Sequence, residues 1–137
     1  MSDYTLYIGN KNYSSWSLRP WLAMKVAGIP FEEKLILLFD DNWKANIAKV
    51  SPTARVPVLT DGDLTIWETM AILEYLAERH PDKGLWPIDV KARAMARSIA
   101  NEMHAGFTAL RTHMPMNIRK SHPGRGMGVG VAEDIAR

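Results

Sequence analysis

The sequence predicts an α/β domain followed by the beginning of an all-helical one. Residues 5–8 form a short apolar run ending at Gly9, residues 18–27 carry apolar side chains at helical spacing, and residues 31–38 favour a second strand. A strand, a helix and a strand this close together imply a parallel pair with a right-handed crossover. With the elements that follow, the predicted order over residues 1–82 is βαβαββα on a mixed four-stranded sheet.

The first helix is predicted to begin after Ser17. Pro20 then falls in the first turn, where its missing N–H has no partner to lose. Leu18, Leu22 and Val26 recur every four residues, so they are expected to form its buried face.

Two further strands and a second strong helix complete the first domain. Residues 43–50 predict a short helix, and residues 56–59 and 64–67 predict strands joined by a tight turn. Residues 68–80 predict a helix whose apolar residues share one side.

A longer helix is predicted at residues 90–112, with Asp89 as its cap. Its apolar stripe needs a partner, and the glycine-rich residues 121–130 are not expected to supply one. The predicted organisation is a first domain, a linker and a partial helical domain, at residues 1–82, 83–89 and 90–137.

The composition is that of an ordinary globular protein. The chain has 137 residues, 47% of them hydrophobic, and a net charge of +2 from scattered basic residues, which does not favour nucleic acid as a partner. No apolar run approaches the length of a membrane span, and no signal peptide is recognisable. A cytoplasmic protein that does not bind membranes is the expectation.

The chain contains no cysteine. This excludes a disulfide framework, a thiolate metal site and thioredoxin-type disulfide exchange, which needs a protein thiolate. Any thiol chemistry must therefore use a thiol brought by a ligand. The four histidines lack metal-ligand spacing, so no metal is expected and they are predicted to lie at the surface.

The loop ahead of the first helix is the most informative polar stretch. Ser14 and Ser15 lie there, next to a helix start whose free N–H groups favour an anion. A hydroxyl at this position can donate to a thiolate or a carboxylate. A serine before a helix is also the commonest N-cap, so both interpretations stay open.

Three short stretches occur in an order typical of one family. Residues 14–19 read SSWSLR, residues 54–59 read ARVPVL, and residues 67–76 read WETMAILEYL. Together with the element order they resemble the thioredoxin-like domain of the glutathione transferases, and residues 90–116 resemble the first helix of that family's helical domain. The serine placement is similar to the serine-type branches, such as the zeta and theta classes and many bacterial members. The resemblance covers residues 4–82 best.

The resemblance implies that glutathione is the co-substrate and that no metal takes part. It implies that the hydroxyl of Ser14 stabilises the glutathione thiolate, with Ser15 as the alternative and Tyr7 as a third candidate. Arg19 is expected to support the loop. The implied glutathione contacts are Ser15, Trp16, Lys44, Val56, Pro57, Glu68 and Thr69.

Two of these contacts have a physical reading of their own. The resemblance implies a cis peptide at Val56–Pro57 beside a backbone that pairs with the cysteinyl part of glutathione; the residues alone fit equally a trans proline on an edge strand. Glu68 and Thr69 begin the next helix. Thr69 and the N–H groups of the helix start could bind the carboxylate of a γ-glutamyl group, and Glu68 could bind its ammonium.

The function expected from these features is activation of the glutathione thiol for attack on a small electrophile, by conjugation or isomerisation, in a homodimer. The alternative is a non-catalytic glutathione-binding or protein-interaction module of the same fold. Members of the family normally carry several more helices, so the C-terminal domain is apparently truncated: the chain is a fragment, or a partner covers the stripe of residues 90–112.

Overall fold

The computed structural model describes residues 4–137, in which a four-stranded sheet packs against two helices. The elements in chain order are β1 (Tyr4–Ile8), α1 (Ser15–Ala27), β2 (Glu32–Leu35), α2 (Trp43–Ala48), β3 (Val58–Asp61), β4 (Leu64–Trp67), α3 (Thr69–Arg79), a 3₁₀ turn (Pro81–Lys83), α4 (Val90–Ala105), α5 (Thr108–His113) and α6 (Val131–Ala136).

The sheet has the order β2-β1-β3-β4. β1 is parallel to β2 and antiparallel to β3, and β3 is antiparallel to β4, which confirms the predicted mixed sheet and the βαβαββα order. The core lies between this sheet and the helices α1 and α3. Its buried apolar residues are Tyr4, Leu6, Ile8, Met24, Ile29, Leu59, Ile72 and Leu76.

Two strands differ in extent from the prediction. β2 is shorter than expected, and its four residues are all exposed at the edge of the sheet, where charged side chains discourage pairing with another chain. β3 begins at Val58 and not at Val56, because Pro57 has no N–H to donate to the ladder. The Val56–Pro57 peptide is cis, as the resemblance implied.

The predicted cap of α1 is wrong. Ser14 is the N-cap, and its Oγ accepts a 3.3 Å hydrogen bond from the backbone N–H of Ser17. Pro20 therefore lies inside the helix and leaves the Trp16 carbonyl without its usual donor. The hydroxyl of Thr69 donates to that carbonyl at 3.1 Å, so a contact from another helix replaces the lost bond.

The predicted buried face of α1 is also wrong. Leu18, Leu22 and Val26 are 40%, 48% and 80% exposed, whereas Pro20 and Met24 are buried. The face that holds Pro20 and Met24 is turned toward β1 and α3, and the stripe of larger residues lies outside that contact.

The long helix predicted at residues 90–112 is two helices. Asp89 caps α4 as predicted, with its Oδ2 accepting from the Ala92 N–H at 2.8 Å. α4 ends at Ala105 with Gly106 as its C-cap, and Phe107 takes a left-handed conformation (φ 60°) before α5 begins. Arg111 of α5 donates from Nε to the Gly106 carbonyl at 2.9 Å and thereby satisfies one end of the broken helix.

The chain after α5 packs more closely than the sequence predicts. α6 contacts α5, Val131 is fully buried, and the Leu110 N–H donates to Asp134 at 2.9 Å. Asn12 in the loop before α1 holds the segment after α5: its Nδ2 donates to the Asn117 side chain and its Oδ1 accepts from the Arg119 N–H, both at 3.0 Å.

α4 itself contributes no buried residue. Met95 and Ile99 on its predicted stripe are 62% and 59% exposed. Among residues 4–137, no helix is both long enough and apolar enough to cross a membrane.

Candidate active site

Trp16, in the first turn of α1, is the centre of the site. The guanidinium groups of Arg19 and Arg111 lie over its ring at 4.0 Å and 4.6 Å from the centroid. The ring of His104 meets it edge-on at 5.1 Å between centroids. Trp16 lines three neighbouring cavities, which we name after the helices beside them: the α3 cavity, the α2 cavity and the α4 cavity.

The α3 cavity has a volume of about 270 Å³. It brings together the second and third predicted motifs, although they lie on separate elements. Its lining residues are Trp16, Thr53, Arg55, Val56, Pro57, Glu68, Thr69 and His104.

Glu68 is held in an unusual backbone conformation at the mouth of α3. Its φ of 71° and ψ of 127° are rare for a residue with a side chain, and such strain concentrates at functional sites. Its carboxylate lies 3.7 Å from Nε2 of His104. The Thr69 hydroxyl already donates to the Trp16 carbonyl. The groups at the start of α3 that remain free to bind an anion are therefore its backbone N–H groups.

The α2 cavity, of about 420 Å³, contains Ser14 and Val56 together. Gly9 lies between them: a Cβ at that position would be 3.1 Å from both Ser14 Cβ and Val56 Cγ2. Glycine therefore allows the predicted catalytic loop and the predicted peptide-pairing residue to approach each other. The other lining residues are Tyr13, Trp16, Leu38, Phe39, Trp43, Ile47, Ala54 and Arg55.

The α4 cavity is the largest, at about 540 Å³. One wall comes from α1 and the loop before it, and the other from α4, α5 and the segment that Asn12 holds. Its lining residues are Tyr13, Ser15, Trp16, Arg19, Met103, Phe107, Leu110, Arg111, Met114, Pro115 and Met116.

The two candidate hydroxyls differ in their hydrogen bonds. Ser14 is buried; its Oγ donates to Ser17 Oγ at 2.8 Å besides capping α1. Ser17 Oγ also accepts from the Gly9 N–H at 3.0 Å. Ser15 is half-buried, lines the α4 cavity and makes no side-chain hydrogen bond to any residue within 4–137. Tyr7 lies in β1 and lines none of the three cavities.

Lys44 is the one predicted glutathione contact outside the three cavities. Its side chain is exposed, with the ammonium 5.7 Å from the ring centroid of Trp43. Trp43, its neighbour in α2, lines the α2 cavity instead.

Three site residues were missed by the sequence analysis: His104, Arg111 and Arg55. His104 was expected at the surface, but its side chain is only 23% exposed and packs on Trp16. Positions 104, 107 and 111 have the spacing of a single helix, but His104 lies on α4 and Arg111 on α5, so this spacing is not what brings them to Trp16. Within the described part of the chain, no group of acidic or histidine side chains has the arrangement of a metal site.

The mixed sheet and a site divided among the starts of α1, β3 and α3 define a thioredoxin-like domain of the transferase type. The family model for the glutathione S-transferase N-terminal domain matches residues 13–79. Residues 13–79 therefore belong to the glutathione transferase family as its N-terminal domain.

Named relatives agree with this assignment. A probable maleylacetoacetate isomerase from Caenorhabditis elegans is 35% identical over 77% of this chain and 48% of its own length. A zeta-class glutathione S-transferase from Euphorbia esula is 30% identical over 76% of this chain and 47% of its own length. The chain thus spans about half the length of the curated relatives it matches.

Solved structures lead to the same family. A glutathione transferase homologue from Burkholderia gl BGR1, crystallised with bound glutathione, is 30% identical with a TM-score of 0.69, over 82% of this chain and 62% of its own.

Proposed function

We propose that this chain binds glutathione across the α3 and α2 cavities and activates its thiol for attack on a small electrophile in the α4 cavity. One observation carries the proposal: residues from the three separate motifs, Ser14 and Ser15, Val56, and Glu68 with Thr69, surround one side chain, Trp16. Relatives crystallised with glutathione support it.

The γ-glutamyl end is assigned to the α3 cavity. Its carboxylate would accept from the free N–H groups at the start of α3, and its ammonium would meet the Glu68 carboxylate. The cysteinyl part would pair with the backbone of Val56, which exchanges no hydrogen bond with any residue within 4–137.

The thiol would then lie near the start of α1. A free thiol has a pKa of about 8.5, and lowering it by about two units requires roughly 2.7 kcal/mol of preferential thiolate stabilisation. A hydroxyl donor and the N-terminus of α1 together are sufficient for this. The Ser14 hydroxyl already donates to Ser17, so we assign the thiolate donor to Ser15 and keep Ser14 as the alternative.

Calorimetric titration with glutathione tests the proposal. We expect a dissociation constant in the millimolar range or tighter. Cysteinylglycine, which lacks the γ-glutamyl group, is the matched control and should bind at least tenfold more weakly. Absence of glutathione binding by the folded chain would refute the proposed function.

A non-catalytic module is the second candidate, and the exposed Met95 and Ile99 on α4 favour it. Normal glutathione affinity without turnover of any electrophile would support this candidate. The same surface motivates the proposed homodimer, which sedimentation equilibrium measures directly. The cytoplasmic location and the predicted domain boundaries stay predictions.

A further inference from the structure

Asn12 joins the loop before α1 to the chain after α5. Its Nδ2 donates to Oδ1 of Asn117, and its Oδ1 accepts from the Arg119 N–H, both at 3.0 Å. Its backbone carbonyl accepts from the Ile118 N–H at 3.4 Å. In the described part of the chain, residues 115–120 make no other hydrogen bond. One residue therefore supplies every hydrogen bond that connects this segment to the loop.

Asn12 is buried, with only 9% of its surface exposed. Burial of an amide costs free energy unless its polar atoms are paired, and here both the oxygen and the nitrogen are paired. An apolar side chain of similar shape would fill the same space without that cost. A fully paired buried amide instead favours one arrangement of its partners, so we interpret Asn12 as a residue that aligns two segments.

The two segments that Asn12 joins form opposite walls of the α4 cavity. Ser15, shortly after Asn12, lies on one wall. The N–H groups of residues 13–15 all donate to carbonyls within this loop, so Asn12 and Ser15 belong to one tight turn. Met116, directly before Asn117, lies on the other wall. The contact between the two asparagines thus connects the proposed thiolate donor to the far side of the cavity.

We propose that Asn12 is a positioning residue for the second substrate. It sets how closely the segment after α5 approaches the loop before α1, and thereby the width of the α4 cavity beside Ser15. The inference rests on the proposed function, which puts the electrophile in this cavity. It adds a residue on which the fit of the electrophile depends, although Asn12 is not among the residues that line the cavity.

Calorimetric titrations with glutathione and with S-hexylglutathione test the inference. The two ligands share the tripeptide, and only the hexyl chain would extend into the α4 cavity. The folded wild-type chain is expected to bind S-hexylglutathione about tenfold or more tightly than glutathione, because methylene groups become buried against the apolar wall. The ratio of the two affinities reports the fit of this cavity, since the contribution of the tripeptide cancels.

The ratio is then measured in variants. Asn12→Leu has a similar shape and removes both side-chain hydrogen bonds, so it should lower the ratio by about threefold or more. Asn12→Asp keeps the acceptor for the Arg119 N–H, and the Asn117 amide can turn to donate to the carboxylate; this conservative variant should retain most of the ratio. Asn117→Leu removes one of the two bonds and should give an intermediate ratio.

Asn10→Leu is the matched control. Asn10 belongs to the same loop, but its Oδ1 accepts from the Leu38 N–H at 2.7 Å, and Leu38 lines the α2 cavity assigned to glutathione. Loss of this bond should weaken the binding of both ligands to the same extent. The ratio should therefore stay at the wild-type value.

The outcomes separate the two proposals. A wild-type ratio in Asn12→Leu, or an equal fall of the ratio in Asn10→Leu, overturns the role of Asn12 and leaves the proposed function intact. A ratio close to one in the wild type also overturns it, because the hexyl chain then finds no fitted cavity. Failure of glutathione itself to bind overturns the proposed function. If circular dichroism shows that Asn12→Leu does not fold, the half-buried Asn117 decides the matter through Asn117→Leu.

Discussion

The Thr69 hydroxyl donates a hydrogen bond to the Trp16 carbonyl across 53 positions of sequence. That carbonyl is available because Pro20, four residues further on, has no N–H to offer it. The bond joins the start of α3 to the first turn of α1, so the two helix termini that form the α3 cavity are fixed to each other.

Replacing Thr69 by valine should destabilise the fold by about 1–3 kcal/mol, because the change leaves a carbonyl without a partner beside a fully buried residue. Thr69→Ser keeps the hydroxyl and is the control. In a Pro20→Ala background the helix supplies its own donor, so Thr69→Val should cost measurably less there. Urea denaturation of the four combinations gives the coupling; equal costs in both backgrounds would contradict this account.

Ser14→Ala and Ser15→Ala should affect different properties: the first the stability of the fold, the second the pKa of the glutathione thiol. Ser14→Ala removes the cap of α1 and should lower the free energy of unfolding by about 1 kcal/mol. Ser15→Ala should leave stability nearly unchanged and raise the pKa of bound glutathione toward the free value of about 8.5. Thiolate absorbance as a function of pH measures the second effect; a shift in Ser14→Ala alone would make Ser14 the donor.

Gly9→Ala should damage both stability and glutathione binding. The added Cβ would lie 2.8 Å from Leu38 Cδ1 and 3.1 Å from Ser14 Cβ and Val56 Cγ2. Relief of this overlap moves Ser14 and Val56 apart, at a cost of about 1–3 kcal/mol. Gly62→Ala is the control: with φ +58° and open space around it, it should cost stability without weakening glutathione binding.

Acid should loosen the attachment of α4. Arg97 donates to both carboxylate oxygens of Glu74 on α3, at 2.8 Å and 2.9 Å, and this contact lowers the pKa of Glu74. A carboxyl group whose pKa is lower in the folded state than in the unfolded state stabilises the fold at pH values above its unfolded-state pKa. This stabilisation is lost as the pH falls through the folded-state pKa. The side chains of Glu74 and Arg97 are 31% and 45% exposed, so solvent screens the pair and Glu74→Gln should cost at most about 1 kcal/mol at neutral pH.

Urea denaturation at pH 7 and at pH 2 measures this contribution. The difference between wild type and Glu74→Gln should become smaller at pH 2, because protonation of Glu74 removes its charge. Glu78→Gln, in the next turn of α3, should show no comparable difference. A difference that persists undiminished in acid would assign the effect to packing and not to charge.

The sequence analysis predicted features that depend on residues close in sequence and missed those that depend on residues far apart in sequence. The sheet and α3 were predictable because strand alternation, turns and the Ile72 and Leu76 spacing are local signals. The cap of α1 was not, because Pro20 is tolerated inside the helix through Thr69, which no local rule reveals.

The same distinction holds in the site. Ser14, Val56 and Thr69 stand in short motifs whose order predicted that they would meet. The contacts of His104 and Arg111 with Trp16 were not predicted. The apolar spacing continues through Gly106 and Phe107 as in one helix, whereas the chain breaks there into α4 and α5.

The position of Trp16 has a consequence for how binding of one substrate would affect binding of the other. One indole forms part of the wall of all three cavities, so an occupant of any cavity touches a surface that the others share. Affinities for the tripeptide and for its reaction partner should then be thermodynamically linked, each raising or lowering the other by the same factor. Replacement of this one aromatic side chain should therefore alter all three cavities at once.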